Sequence, residues 1–239
     1  MDEKQELIWE NDNDSFFYNY GENAKYMLEG NWKHYLAYFL EYFGQNMQKD
    51  NSNYFLLDVG CGAGIVAKVL AEKGFKVHGV DFSSEAIKAA KKQNLGIIFD
   101  RSSIYKLPFS NETFDIIICL GVFQTVANQE KALAEMARIL KKGGVLIIRT
   151  LNSLSLYYLK AQKNNPSYNF YNPFVFKEQI EKTGFKAEPP KGIYFVPGNQ
   201  FSLTDIILKT KLYKFFNVFF HPVFALFSHS FYIEAKKYE

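Results

Sequence analysis

The sequence predicts an α/β fold, a doubly wound and mostly parallel sheet with helices on both faces. Two observations carry that prediction. Between residues 54 and 150, short apolar segments alternate with helical patterns, one helix between most successive strands, as right-handed βαβ units require. The fourth of these segments, Phe114–Leu120, is apolar on both faces, as a central parallel strand covered by helices must be.

Taken in order, residues 1–22 are polar and aromatic and read as irregular structure or a short helix. From residue 23 to 47 the positions Tyr26, Met27, Trp32, Tyr35, Leu36, Phe39, Leu40 and Phe43 recur at helical spacing. A turn-like break, Lys49-Asp50-Asn51-Ser52-Asn53, closes this cap. Strand Tyr54–Val59 follows, then helix Ile65–Lys73, strand Lys76–Val80, and helix Ser83–Gln93 with a Ser-Ser-Glu start suited to an N-cap. Ile97–Phe99 and Phe114–Leu120 are the third and fourth strands. Helix Gln129–Leu140 ends in Lys141-Lys142-Gly143-Gly144, cations and glycine where a helix C-terminus favours them. Strand Val145–Arg149 completes the alternating run. Beyond it, Phe174–Thr183 reads as a helix closed by Gly184, while Phe185–Glu188 and Ile193–Val196 are strand-like. Residues 203–227 read as one or two helices broken at His221-Pro222, and Phe231–Ala235 alternates like a final strand.

The bulk composition narrows the function classes. The chain has 239 residues, 48% of them hydrophobic, enough for a buried core. A net charge of +3 is too weak a balance to argue for nucleic acid. Cys61 and Cys119 form no paired framework and have no metal-ligand spacing, and the charged N-terminus lacks the apolar core of a signal peptide. The expectation is a cytoplasmic protein without a metal. Aromatic residues make up 18% of the chain and concentrate in two flanks, Phe16 to Phe43 and Phe215 to Tyr232.

The sharpest motif is Asp58-Val59-Gly60-Cys61-Gly62-Ala63-Gly64, a strand running into a glycine turn and then a helix. Glycines allow a tight turn and close ligand approach, and free N–H groups at the helix start favour an anionic group. Ile65 stands where a dinucleotide fingerprint has its third glycine. Asp58, two residues before the first glycine, suits a cationic group such as the amino group of a methionine moiety and opposes a pyrophosphate. Asp81 ends the second strand, at the carboxyl edge where open α/β sheets bind ligands. There it is placed to accept hydrogen bonds from a ribose diol, or else to cap the following helix.

Asp58 to Gly64, Asp81, Leu107-Pro108-Phe109, Phe114-Asp115-Ile116-Ile117 and Arg138-Ile139-Leu140-Lys141-Lys142-Gly143-Gly144 together resemble the ordered motifs of class I S-adenosylmethionine-dependent methyltransferases. The branch most resembled contains ubiquinone and menaquinone biosynthesis enzymes and many small-molecule methyltransferases. The resemblance implies a Rossmann-like sheet of seven strands with helical and aromatic cap segments. It implies S-adenosylmethionine as cofactor, leaving S-adenosylhomocysteine, and a small-molecule acceptor. Gly60, Cys61, Gly62 and Gly64 would lie under the methionine part, with Asp58 near its amino group. Asp81 would hold the ribose and Phe82 would cover the adenine. Ser103 and Ile104, before Leu107, would meet the adenine edge, and the backbone of Leu120 and Gly121 would pass the methionine group.

Two departures from the family pattern stand out. Ser103 occupies the position of the acid that accepts from the adenine amino group, with Asp100 as a substitute if the loop is longer. Thr125 stands where many members carry a histidine, so no catalytic residue is assigned. His34, His221 and His229 are weaker candidates for a base, and His78 reads as structural. An NAD-dependent oxidoreductase would share the sheet and Asp81 but not the glycine spacing. A non-catalytic binding module would need neither Asp58 nor Asp81. The expected organisation is a helical cap over 1–50, a cofactor-binding core over 51–200, a helical insertion or lid over 201–229 and a final core strand over 230–239. The Phe-rich stretch 211–229, with Lys211 and Lys214, leaves open core packing, a substrate lid or a peripheral membrane contact.

Overall fold

A computed structural model of the chain describes residues 51–92, 96–155, 158–164, 167–193, 228 and 230–238. The proposed cap over 1–50 and nearly all of the insertion over 201–229 lie outside them, as do His34, His221 and His229. Strands β1 (Phe55–Val59), β2 (Lys76–Asp81), β3 (Ile98–Arg101), β4 (Phe114–Leu120) and β5 (Leu140–Leu151) alternate with helices α1 (Ile65–Glu72), α2 (Ser84–Lys92) and α3 (Gln129–Ile139). Helices α4 (Tyr158–Asn164) and α5 (Pro173–Glu181) precede β6 (Phe185–Ala187), β7 (Lys191–Ile193) and β8 (Ser230–Lys237).

The sheet runs β3-β2-β1-β4-β5-β8-β6, with β7 also pairing β8. The first five strands are mutually parallel, and β8 runs antiparallel to β5. Eight strand segments therefore fill seven lanes, because β6 and β7 lie along the same edge of β8. The reason is in the sequence: Pro189-Pro190 has no N–H to donate and interrupts that edge strand. The lane is held up to the break, where the Glu188 N–H donates to the Glu234 carbonyl at 2.8 Å.

Alternation along each strand divides the core between two faces. Leu57, Val59, Ile117, Cys119, Leu146 and Ile148 face α3 and α5, packing with Leu133, Met136, Phe176 and Ile180. Leu56, Ile116, Ile118 and Ile147 face the other way, against Val66 and Leu70 of α1. Both Leu56 and Leu57 are wholly buried, as a strand covered on both sides requires. The helix starts follow local chemistry. Ser83 Oγ accepts from the Ala86 N–H, so Ser83, not Asp81, caps α2. Asn128 and Asn172 cap α3 and α5 in the same way, the latter with Pro173 in the first turn.

The strand order reverses between β1 and β4, since β2 and β3 lie on one side and β4 and β5 on the other. A crevice forms outside the carboxyl ends of strands at such a switch point. One further device holds the loop beside it. Glu135 of α3 accepts from the Leu107 N–H at 2.7 Å, and Arg138 donates to the Leu107 and Phe109 carbonyls. The Arg138 guanidinium keeps the Glu135 carboxyl below its usual range, so the clamp stays charged. This explains physically why Leu-Pro-Phe and the distant Arg-Ile-Leu occur together.

Candidate active site

The glycine turn leaves β1 at the reversal point. Gly60, Gly62 and Gly64 all have positive φ, at 75°, 53° and 80°. Gly60 has a second reason to be glycine: a Cβ there would stand 2.1 Å from Val122 Cγ2, in the loop after β4. Gly64 and Gly79 both press on Phe99, where any Cβ would approach within 2.8 Å and 2.5 Å of its ring. The turn is thus wedged between the β4 loop and the third strand.

Within the turn itself the N–H groups are engaged: those of Gly60 and Cys61 donate to the Val80 carbonyl, at 2.7 and 3.0 Å. The Gly62 N–H donates to Asp81 Oδ2 at 2.9 Å, and that of Gly64 to the Cys61 carbonyl. A turn so tied down is a poor phosphate cradle, and the charge beneath it points the same way. Asp58 is 3% exposed, and among the described residues its Oδ2 accepts no hydrogen bond. Burial, helped by the Asp81 charge, pushes its carboxyl up to about 7. Burial likewise raises the Asp81 carboxyl, against the opposing pull of the Ser83, Gly62 and Phe82 N–H groups. Two carboxylates flanking one turn make a pocket for a cation.

The structure brings together most of the residues singled out in the sequence. Asp81 Oδ1 accepts from the Ser83 N–H at 2.9 Å, so one carboxylate joins the glycine turn to the start of α2. Phe82 lies beside it. Arg101, which the sequence reading passed over, donates from Nε to the Phe82 carbonyl and sets its guanidinium 5.2 Å from the Phe82 ring centre. Ser102 N–H donates to the Asp81 carbonyl, which draws the 102–106 loop to the same edge. Ser103 Oγ accepts from the Tyr105 N–H at 3.4 Å, and Ile104 packs on the core. Asp100 Oδ2 is paired with His78 Nε2 at 2.9 Å, which gives His78 its structural role. The Cys61 thiol packs with Ala67, Ile87, Ala90 and Phe99, and its pKa is raised by burial. Cys119 is a core residue.

Across the crevice, Leu120 ends β4 and the Gly121 N–H donates to the Arg149 carbonyl. The next residues, Phe123–Thr125, form a single 3₁₀ turn. Thr125 Oγ1 donates to the Val122 carbonyl at 2.8 Å, so the residue in the usual histidine position serves the turn. Tyr105, also unremarked in the sequence, accepts from the Ala127 and Asn128 N–H groups and secures the entry to α3.

A family model described as a methyltransferase domain matches residues 57–148. A ubiquinone biosynthesis O-methyltransferase of Rickettsia canadensis is 31% identical over 175 residues, covering 66% of this chain and 74% of that protein. An uncharacterised protein of Methanocaldococcus jannaschii is 32% identical over 167 residues, covering 70% of each chain. Among solved structures, an S-adenosylmethionine-dependent methyltransferase from Thermotoga maritima superposes with a TM-score of 0.65 at 19% identity, covering 98% of this chain and 99% of that one. The chain belongs to the class I S-adenosylmethionine-dependent methyltransferases and is an enzyme of that class. Within the class it resembles the ubiquinone biosynthesis O-methyltransferases. The residues present fit the cofactor, since the buried Asp58 oxygen, unpartnered among the described residues, is suited to an ammonium and the glycine turn is unsuited to a pyrophosphate. Among the described residues no helix is long and apolar enough to cross a membrane, and no group of three His, Cys, Asp or Glu side chains is placed to hold a metal.

Proposed function

We propose that this enzyme methylates an apolar or ring-bearing small molecule by direct in-line transfer. When bound, S-adenosylmethionine supplies a methyl group already activated by the sulfonium charge, leaving S-adenosylhomocysteine. The chain's own work is to bind, orient and exclude water. Asp58 receives the methionine amino group. The backbone of Gly60, Cys61, Gly62 and Gly64 lies beneath the methionine part, with Leu120 and Gly121 on its other side. Asp81 holds the ribose diol, exchanging the Gly62 N–H for ribose hydroxyls on one oxygen. Phe82, kept in place by Arg101, covers one adenine face, and the Ser103–Ile104 backbone meets its edge. The residue segments 1–50 and 201–229, rich in Phe, Tyr and Trp, supply the cover over the acceptor, because aromatic walls suit a flat or lipid-like molecule.

The observation that carries this reading is the buried carboxylate of Asp58 with its unpartnered oxygen under the turn. The names of the relatives in ubiquinone biosynthesis support the small-molecule acceptor. Isothermal titration tests the cofactor assignment: heat is expected with S-adenosylmethionine and S-adenosylhomocysteine and none with NAD. The reverse pattern would sink it.

A further inference from the structure

We propose that Tyr105 is a positioning residue through which the seated adenine sets the loop beside the methyl group. Tyr105 belongs to the loop that meets the adenine edge, and its hydroxyl holds the loop that follows β4. This inference rests on the cofactor placement proposed above and adds a link from the cofactor's base to the acceptor side of the site.

The loop from Gly121 to Asn128 leaves β4 where the methionine part is expected to lie, and it ends at α3. It is fastened at three places. At its start, Val122 Cγ2 is wedged against Gly60 of the cofactor turn, where a Cβ would stand 2.1 Å away. In its middle, the carbonyls of Phe123, Gln124 and Val126 accept from Tyr171 Oη at 2.7 Å, the Asn169 N–H at 2.6 Å and Asn169 Nδ2 at 2.8 Å. Residues 169–171 are part of the sheet's frame, because the Tyr171 N–H donates to the Leu151 carbonyl at the end of β5 and the Ser153 N–H to the Tyr171 carbonyl. At its far end, the Ala127 and Asn128 N–H groups both donate to Tyr105 Oη, at 3.0 and 3.1 Å.

This third fastening leads to the cofactor. The 102–106 loop is a compact turn that moves as one piece. The Ser102 N–H donates to the Asp81 carbonyl, the Lys106 N–H to the Ser103 carbonyl, and the Tyr105 N–H to Ser103 Oγ. A base seated on Ser103 and Ile104 therefore carries Tyr105 with it.

The fold does not need the hydroxyl. Asn128 caps α3 with its own side chain, accepting from the Lys131 N–H at 2.9 Å. Ala127 and Asn128 are exposed, so water can serve their N–H groups. The Tyr105 ring packs on the core and faces Lys131 Nζ at 5.7 Å, contacts that do not involve the oxygen. What the oxygen adds is place, since two N–H groups converging on one atom set the end of one loop against the other. Binding of the base then orders residues 123–128 before any acceptor arrives, and the acceptor meets a wall whose ordering cost is already met.

Amide hydrogen exchange of the full chain, read by mass spectrometry over residues 123–128, tests the link. The probes are S-adenosylhomocysteine and adenosine, which lacks the methionine part, with saturation established by titration calorimetry. In wild-type protein both should slow exchange over 123–128 at least about fivefold, the lower end of ordinary coupling between sites. Tyr105→Phe should lose most of that slowing while keeping the slowing by S-adenosylhomocysteine over residues 60–64. If exchange in Tyr105→Phe instead rises equally in free and bound protein, with the slowing by each ligand kept, the hydroxyl is only a structural tie and the inference is overturned. Slowing of 123–128 in wild-type protein by S-adenosylhomocysteine alone, or by neither ligand, would overturn it without any variant, because the base would then not organise this loop. Failure of wild-type protein to bind S-adenosylhomocysteine in the calorimeter would overturn the cofactor assignment instead.

Discussion

The two halves of the sheet's carboxyl edge are built from opposite materials. On the β1–β2 side the polar groups are two buried carboxylates and a glycine turn whose N–H groups are tied within the protein. On the β4–β5 side they are a buried guanidinium, an amide and the hydroxyls of β8. The first half carries buried carboxyl groups and the second a buried guanidinium. The contrast teaches that charge is sorted along the edge before any ligand arrives, and the first variants aim at breaking the sorting.

The largest effect is expected at Asp58. Its carboxyl rises from the ordinary 3.8 to about 7, mainly through burial. The folded protein therefore keeps a proton between these values that the unfolded chain has lost. The stability this contributes is fully present below about pH 4 and disappears as pH rises through about 7. Asp58→Asn should flatten that loss and stabilise the ligand-free protein at pH 8 by as much as about 4 kcal/mol, read by chemical denaturation. The same variant should bind S-adenosylmethionine weaker by about 2–4 kcal/mol, because an ammonium is left facing an amide. Wild-type affinity should itself fall roughly tenfold per pH unit below about 7, as the carboxylate protonates. A pH-independent affinity would break the cationic assignment of this half.

Next comes the seam between the halves. Gly60→Ala would force a Cβ to within 2.1 Å of Val122 Cγ2 at a φ of 75°. A destabilisation of about 2–4 kcal/mol is expected from overpacking and left-handed backbone together. Adding Val122→Ala should recover the packing part and leave roughly 1 kcal/mol of backbone strain. If the double variant recovers nothing, the two halves are not coupled through this contact. Asp81→Ala should follow, weakening cofactor binding by about 1.5–3 kcal/mol with the fold intact, because Ser83 rather than Asp81 caps α2. Unchanged affinity by titration would reduce Asp81 to a brace for the turn.

The same contrast explains what the sequence discloses. The cofactor half is written in contiguous runs: Asp58 to Gly64 is one turn, and Asp81 lies one strand further on. Strand positions followed from alternation and helix starts from caps, so β1, β4, α1 and α5 emerge within a residue or two of their expected bounds. The β4–β5 side joins groups far apart in the chain. Arg149 meets Ser230 across 81 residues, and only pairing of β5 with β8 in one register makes them neighbours. No local spacing encodes that meeting. The internal hydrogen bonds of the glycine turn were equally hidden, because glycine residues announce a turn without saying which N–H groups it leaves over. Short α4 lacks a strong apolar period, so local pattern does not mark it as a helix.

The smallest effect should fall at the outer rim of the cofactor half, and it sharpens the comparison there. Arg101 holds Phe82 in two ways, by the hydrogen bond from Nε to its carbonyl and by the guanidinium over its ring. Neither contact is deep, since Arg101 is exposed, and an exposed cation–π pair contributes about 0.5–1 kcal/mol. If Phe82 covers the adenine, Arg101→Leu should loosen the ring and reduce S-adenosylhomocysteine affinity two- to fivefold, which is about 0.4–1 kcal/mol. Asp58 and Asp81 stay untouched in this variant, so the pH dependence of binding should keep its wild-type midpoint. Titration calorimetry with S-adenosylhomocysteine and with adenosine separates the contributions. Both ligands carry the adenine, so both should weaken by the same factor. A loss confined to S-adenosylhomocysteine would place Arg101 beside the amino-acid end and would put Phe82 elsewhere than on the base.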